Sequence, residues 1–461
     1  MTQRKRGLAL LLAFLLLAVL LTACQPTPEK DIIINRGDGA LEAAIAATAV
    51  PSDQPLLPVD EVGERIEHWT DELTVPRLTC TIDADIVLPD KKVFPVYRVQ
   101  QRALDAETAA QVLDYFLADA TGACETTDTR EEVLLDLLAA RKGHFVNYPD
   151  SMDGTWQPYD GQEEDIGRLE RALQTVGDDE PFGPVPDTVP LDTPYTYALP
   201  DGKRFRIHVS ERELTARAYF PRGFEQAESM VMDGEAYPGE PAGTTLQNVK
   251  ISQEEAEAAA EAFLEHAGLA YLGLAEAEKA RILQSTTYET LSEGWQLTYA
   301  RSDGGCIPVY YFNQQSGYLY QRSEDYAPRW YPEALRLYVD ENGIQCVNWR
   351  FPLEIVETMN ENVLLLEFDE IKEQITKAIE LGYAYMSEKM GGSRQHEVTV
   401  NRIVLTNVLV PMRDTVDYQM LVPAWLVFYQ QQMGAAEPLT AFIAVNAVDG
   451  STIDLKVRFG G

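Results

Sequence analysis

The second half of the chain repeats one order of elements, a helix followed by a run of strands. Ser252 and Glu255 have the spacing of a capping box. Ala256, Ala259, Ala260, Phe263, Leu264 and Ala267 follow at helical spacing. Strands are then expected near Trp295–Ala300, Ile307–Phe312 and Leu335–Val339. Asp340-Glu341-Asn342-Gly343 reads as a hairpin turn and Ile344–Trp349 as its return strand. The order recurs from Asp369, where Ile371, Ile375, Ala378, Ile379 and Met386 share a helical face. Strands follow at Val398–Val410, Val416–Tyr429 and Leu439–Asn446, and Asp449-Gly450 turns the chain into Thr452–Val457. Alternation at Val416, Tyr418, Met420 and Val422 against Asp417 and Gln419 marks half-buried antiparallel strands. The expected class is therefore α+β: antiparallel sheets with helices packed on one face, arranged as tandem modules at 250–355 and 365–461.

The N-terminus sets the compartment. Arg4-Lys5-Arg6 precedes an apolar run from Leu8 to Leu21, 14 residues long and shorter than a comfortable bilayer span. A charged segment, an apolar segment and small residues before a cleavage point describe a secretory signal peptide over 1–23. Leu21-Thr22-Ala23-Cys24 resembles the lipobox of bacterial lipoproteins. The resemblance implies acylation of Cys24, which would then be the first residue of the mature chain and its link to the lipid bilayer. Residues 24–59, punctuated by Pro26, Pro28, Pro51, Pro55 and Pro58, read as a flexible tether with a short Ala-rich helix near Leu41–Val50.

Between tether and modules, 60–245 reads as an N-terminal α+β domain. Leu78–Leu88 and Val93–Val99 are expected strands on either side of the turn Pro89-Asp90-Lys91-Lys92. Asp105 caps a helix bearing Ala109, Val112, Leu113, Phe116 and Leu117, and Thr129 with Glu132 opens a second. A Pro/Asp/Gly-rich excursion over 143–200 includes a short helix at Gly161–Val176; Lys203–Val209 and Leu214–Phe220 then form a hairpin.

The chain carries a formal charge of −35. Loss of 1–23 removes three basic residues and no acid, leaving −38. So acidic a body excludes nucleic acid as a partner and gives no basic patch for anionic lipid. Cys80, Cys124, Cys306 and Cys346 remain besides Cys24. In an oxidising compartment Cys306 and Cys346 are candidates for a disulfide, worth about 4 kcal/mol on the chain-entropy argument; free buried thiols are the alternative.

Catalytic signatures are absent from the sequence. His396-Glu397 is followed by Val400 where a zinc hydrolase needs its second histidine, and no Gly-x-Ser-x-Gly, Ser-x-x-Lys or phosphate loop occurs. The acidic stretch Asp150, Asp153, Asp160, Glu163, Glu164, Asp165 lacks calcium-loop spacing, since Met152 stands where the second ligand belongs. No catalytic, cofactor or metal residue is assigned.

Leu421-Val422-Pro423-Ala424-Trp425 and Ile443-Ala444-Val445-Asn446-Ala447-Val448-Asp449-Gly450-Ser451 resemble PepSY-like modules of Gram-positive extracytoplasmic proteins, including regulators of the YycH and YycI type. Cys24-Gln25-Pro26-Thr27-Pro28-Glu29-Lys30 and Asn35-Arg36-Gly37-Asp38-Gly39 are similar to uncharacterised lipoproteins of clostridia-like Firmicutes. The resemblance covers about 90 residues at the C-terminal end. It implies a fold and a place outside the membrane, without a substrate. The expected function is a non-enzymatic binding or regulatory protein that meets an envelope protein or peptide. The rivals are a surface hydrolase and a small-ligand-binding lipoprotein.

Overall fold

The computed structural model describes residues 40–47, 60–61, 64–65, 67–75, 78–91, 93–146, 155–220, 231–232, 246–284, 289–310, 315–316, 331–389, 396–412, 415, 417–432 and 439–453. The signal peptide and Cys24 lie outside them, as do Asp150 and Asp153. Among the described residues no helix is long and apolar enough to cross a membrane. The architecture is α+β and mostly antiparallel; among the described residues there are two sheets of nine strands each and two small two-stranded ones.

The first sheet is made of two four-strand meanders, each preceded by a helix. One is helix α1 (Ala106–Leu117) with β1 (Gly122–Glu125), β2 (Tyr195–Ala198), β3 (Arg204–Val209) and β4 (Glu213–Ala218). The other is α2 (Gln253–Ala267) with β5 (Leu272–Leu283), β6 (Thr290–Arg301), β7 (Ala334–Asp340) and β8 (Gly343–Arg350). They meet through their last strands, Glu213 opposite Arg350 and Arg217 opposite Cys346, so the order runs β1-β2-β3-β4-β8-β7-β6-β5, antiparallel throughout. Val231–Met232 adds a short edge to β5. Both helices start as their sequences require. The Asp105 carboxylate accepts from the Thr108 N–H, and Ser252 and Glu255 form a reciprocal capping box. The helices lie side by side on one face, with Phe263 edge-on to Tyr115 and buried against Leu297, Leu337 and Trp349.

The second sheet grows from helix α3 (Phe368–Lys389) and the meander β9 (His396–Pro411), β10 (Gln419–Gln432) and β11 (Leu439–Asn446), with Thr452–Ile453 as a short fourth strand. Phe368, Ile371, Ile375 and Ile379 fill one side of this core with Trp425 and Tyr429 opposite. The asparagine of Asn446-Ala447-Val448-Asp449-Gly450 has a structural role: its side-chain oxygen accepts from the Val448 N–H, and Gly450 takes φ +74° to close the turn.

Strands from 68–101 complete this second sheet. β12 (Leu78–Val87) runs parallel to β9, with Thr81 opposite Thr399, and β13 (His68–Val75) pairs outside it. β14 (Val96–Gln101) pairs with β10 and with β15 (Leu353–Asn360). The segment boundaries expected from the sequence are therefore not sheet boundaries. Residues 60–245 do not close on themselves, because β12, β13 and β14 join the 365–461 meander while β1 to β4 join the 250–355 one. Leu78–Val87 and Val96–Gln101 are not a hairpin: Pro89 and Pro95 allow a longer connector, and each strand finds its partners elsewhere. Residues 307–310 belong to no strand, and residues 311–312 of the strand expected at Ile307–Phe312 lie outside the described residues.

The short Ala-rich helix expected near Leu41–Val50 is present as helix α4 (Ala40–Ala47), but it is docked rather than free in a flexible tether, with Leu41 and Ile45 buried in the second core. Asn360 fixes this helix by donating to the Ile45 carbonyl at 2.8 Å. Helices also occupy more than one face of the first sheet. Glu132, on helix α5 (Arg130–Lys142), takes a bidentate pair from Arg206 at 2.7 and 2.8 Å, and Arg206 alternates with the inward Phe205 and Ile207. Glu180 joins the same cluster, accepting from Thr196 at 2.7 Å and pairing with Arg204 at 3.4 Å.

Candidate functional site

The sheets meet where β6 and β7 of the first pass β9 and β10 of the second. The buried junction holds a carboxylate, Glu333, just ahead of β7. Its Oε1 accepts from the Tyr271 hydroxyl at 2.7 Å and from the Trp349 indole N–H at 2.9 Å. Its Oε2 accepts from Arg301 and from the Leu353 N–H, where β15 begins to cross between the sheets. Arg301, the last residue of β6, also holds Asp303, donating from Nη2 to Oδ1 at 2.8 Å. It gives a further bond to the Leu353 carbonyl at 2.8 Å and stacks 4.6 Å from the Tyr271 ring centroid. The arginine therefore ties a turn, two strand ends and a crossing strand at one point.

Burial sets the electrostatics. It pushes the Glu333 carboxyl up, against the opposing pull of Arg301, Tyr271 and Trp349. Burial and then Glu333 push the Tyr271 hydroxyl up. For Arg301 burial works against the charge, but Asp303 and Glu333 outweigh it and hold the guanidinium above its ordinary value.

A cavity of about 30 Å³ opens beside this network, lined by Arg301 and Glu333 on one side and Thr406, Asn407 and Leu421 on the other. It has room for a water or two. The Asn407 side-chain amide has neither its oxygen nor its nitrogen hydrogen-bonded. Thr406 donates to the Ile307 carbonyl at 2.6 Å, tying the 307–310 segment to β9. The cleft is mostly apolar, lined also by Val309, Pro332, Leu353 and Leu409, with the Glu333 carboxylate and the Asn407 amide as polar points where a small group or water can be held. Its carboxylate oxygens already accept from four neighbours, which leaves Glu333 poorly placed to take a proton from a substrate.

The residues singled out in the sequence do not gather here, apart from Cys306. Cys306 lies at the junction and Cys346 in the small cluster of Ala280, Ile282 and Tyr338. Both are buried free thiols, as are Cys80 and Cys124, so of the two alternatives left open for Cys306 and Cys346 the structure shows free thiols rather than the disulfide. Burial pushes the Cys346 thiol up to about 12. Spacing along the chain suited a disulfide loop, but β8 carries Cys346 into the first sheet while the turn after β6 carries Cys306 towards the second. In the acidic excursion Asp160, Glu163 and Glu164 are exposed, and Asp165 accepts from Tyr159 at 3.1 Å. Among the described residues no group of three or more His, Cys, Asp or Glu side chains is arranged to hold a metal ion. The one signal for Glu333 and Arg301 is a charge at the end of an apolar strand, which sequence alone does not separate from a solvated strand end.

His68 makes a separate polar site on β13, bridging Asp85 at 2.9 Å and Asp83 at 2.8 Å on the solvent face. Bonds first to Asp85 and then to Asp83 raise its pKa above 6.5. The raised value means the clamp contributes below the ordinary histidine pKa and is lost as pH rises through the folded-state value. An NMR titration of the His68 ring is expected to show a midpoint above 6.5. Asp85→Asn should lower it more than Asp83→Asn, and an unmoved midpoint in both variants would refute the clamp.

No family model matches the chain, and no curated protein matches it. Among solved structures it is similar to an uncharacterized protein from Eubacterium rectale, at 12% identity and a TM-score of 0.46. That match covers 90% of this chain and 99% of the other.

Proposed function

We propose that this chain is a lipid-anchored extracytoplasmic protein that binds a partner, protein or peptide, at the cell envelope. In this reading Cys24 carries the acyl anchor, and the helix-plus-meander units are PepSY-like modules presented outward. The observation that carries it is how the buried carboxylates are used. Glu333, Glu132 and Glu180 are each held by arginine, so the interior chemistry serves cohesion and the acidic exterior is left to meet other molecules. Helix α4 adds to the reading, because its docked Leu41 and Ile45 shorten the leash. Only residues 25–39 separate Cys24 from the body, a reach of at most about 50 Å when fully extended.

The test is a pull-down from crosslinked intact cells with the full-length protein as bait and Cys24→Ala as control. A specific envelope partner recovered with the anchored form, and lost with Cys24→Ala, is the expected result. Equal recovery with both forms would contradict a role for the anchor. Residue-specific turnover of a wall or peptide substrate by the purified protein would contradict the binding reading.

A further inference from the structure

Beside the Glu333 network, and outside it, a lysine meets a thiol. Lys91 belongs to the connector between β12 and β14, and hence to the second sheet. Cys306 closes the turn after β6, and hence belongs to the first. Lys91 Nζ stands 2.7 Å from Cys306 Sγ, closer than nitrogen ordinarily approaches sulfur. The Asn407 backbone N–H is bonded to the same sulfur. Burial pushes the thiol up, and Lys91 pulls against it. Cys306 itself is only 3% exposed. Asn407, whose backbone N–H bonds the sulfur, also lines the cavity at the junction together with Thr406.

We propose that Lys91 and Cys306 are a covalent modification site, joined on oxidation by a single bridging oxygen into a nitrogen–oxygen–sulfur link between the two sheets. The spacing suits that link: one oxygen, singly bonded to each atom, spans the gap, whereas a direct nitrogen–sulfur bond needs the side chains to move closer. The oxidant is hydrogen peroxide. A first peroxide transfers an oxygen to the thiol, giving sulfenic acid and one water. A second removes the sulfenic O–H hydrogen and one amine hydrogen as the N–O bond forms, and leaves as two waters. The protein loses two hydrogens and gains one oxygen, and a dithiol reductant reverses the change. The link would pin the connector at 88–95 to the turn at 303–306, bracing the junction that Arg301 already ties. This inference does not depend on the anchor or on the partner proposed above.

The test is peptide mapping by mass spectrometry of the full-length protein in detergent after hydrogen peroxide treatment. The expected product joins the Lys91 and Cys306 peptides with a gain of about 14 Da, one oxygen in and two hydrogens out. It should disappear with dithiothreitol, and from Lys91→Arg and Cys306→Ser. Cys306 recovered only as its sulfinic or sulfonic acid, or unchanged, with no Lys91 peptide attached, would overturn the proposal. The wild-type map decides the matter even if a variant fails to fold.

Discussion

Glu333→Ala is expected to lower folding stability by about 3–5 kcal/mol, the cost of breaking a buried ion pair from one side. The side chain is fully buried, and alanine leaves the Arg301 guanidinium with one carboxylate in place of two. It also strips the Tyr271 hydroxyl and the Trp349 indole of their acceptor, and each buried donor left without a partner carries its own desolvation cost. Glu333→Gln keeps the volume and one acceptor oxygen, so its loss should be smaller, about 1–3 kcal/mol. Arg301→Met should be at least as damaging as Glu333→Ala, because it leaves both Glu333 and Asp303 uncompensated. Denaturant melts of the purified protein measure all three through the transition midpoint. If Glu333→Ala unfolds at the wild-type midpoint, the junction does not hold the sheets together.

Trp425→Ala carries a loss of similar size, about 3–5 kcal/mol, from a different cause. Trp425 is wholly buried on β10 facing α3, its ring centroid 5.0 Å from that of Phe368. Removing it opens a void between helix and sheet that close-packed neighbours cannot fill. The indole N–H has no hydrogen-bond partner, so Trp425→Phe forfeits no polar contact and should retain most of the stability. Equal losses for alanine and phenylalanine would mean that the indole nitrogen, rather than the packed ring, matters at this position.

Residue patterns revealed local structure far better than long-range pairing. The capping boxes at Thr129 and Ser252, the helical faces through Phe263 and Ile375, and the turns at Asn342-Gly343 and Asp449-Gly450 were legible because each is decided within a few residues. The third helix-plus-meander unit was hidden, because the stretch from Thr126 to Pro194 interrupts it between β1 and β2. Pairing of Thr81 with Thr399 leaves no local trace, since alternation states which face is buried and not which strand lies alongside. His68–Val75 passed unnoticed as a strand because Asp71 and Glu72 interrupt its apolar residues, as suits an edge. The junction was the least legible part. Tyr271, Arg301, Glu333 and Trp349 are far apart in sequence, and each looks ordinary until the sheets bring them together.

The most direct test of the central claim, that a lipid at Cys24 holds this body at the outer face of a membrane, is the mass of the N-terminal peptide from the protein purified out of membranes. The expected peptide begins at Cys24 and carries the mass of a diacylglyceryl group, with residues 1–23 removed and no such species in Cys24→Ala. A peptide that retains residues 1–23, or a mature N-terminus elsewhere without lipid, would contradict it.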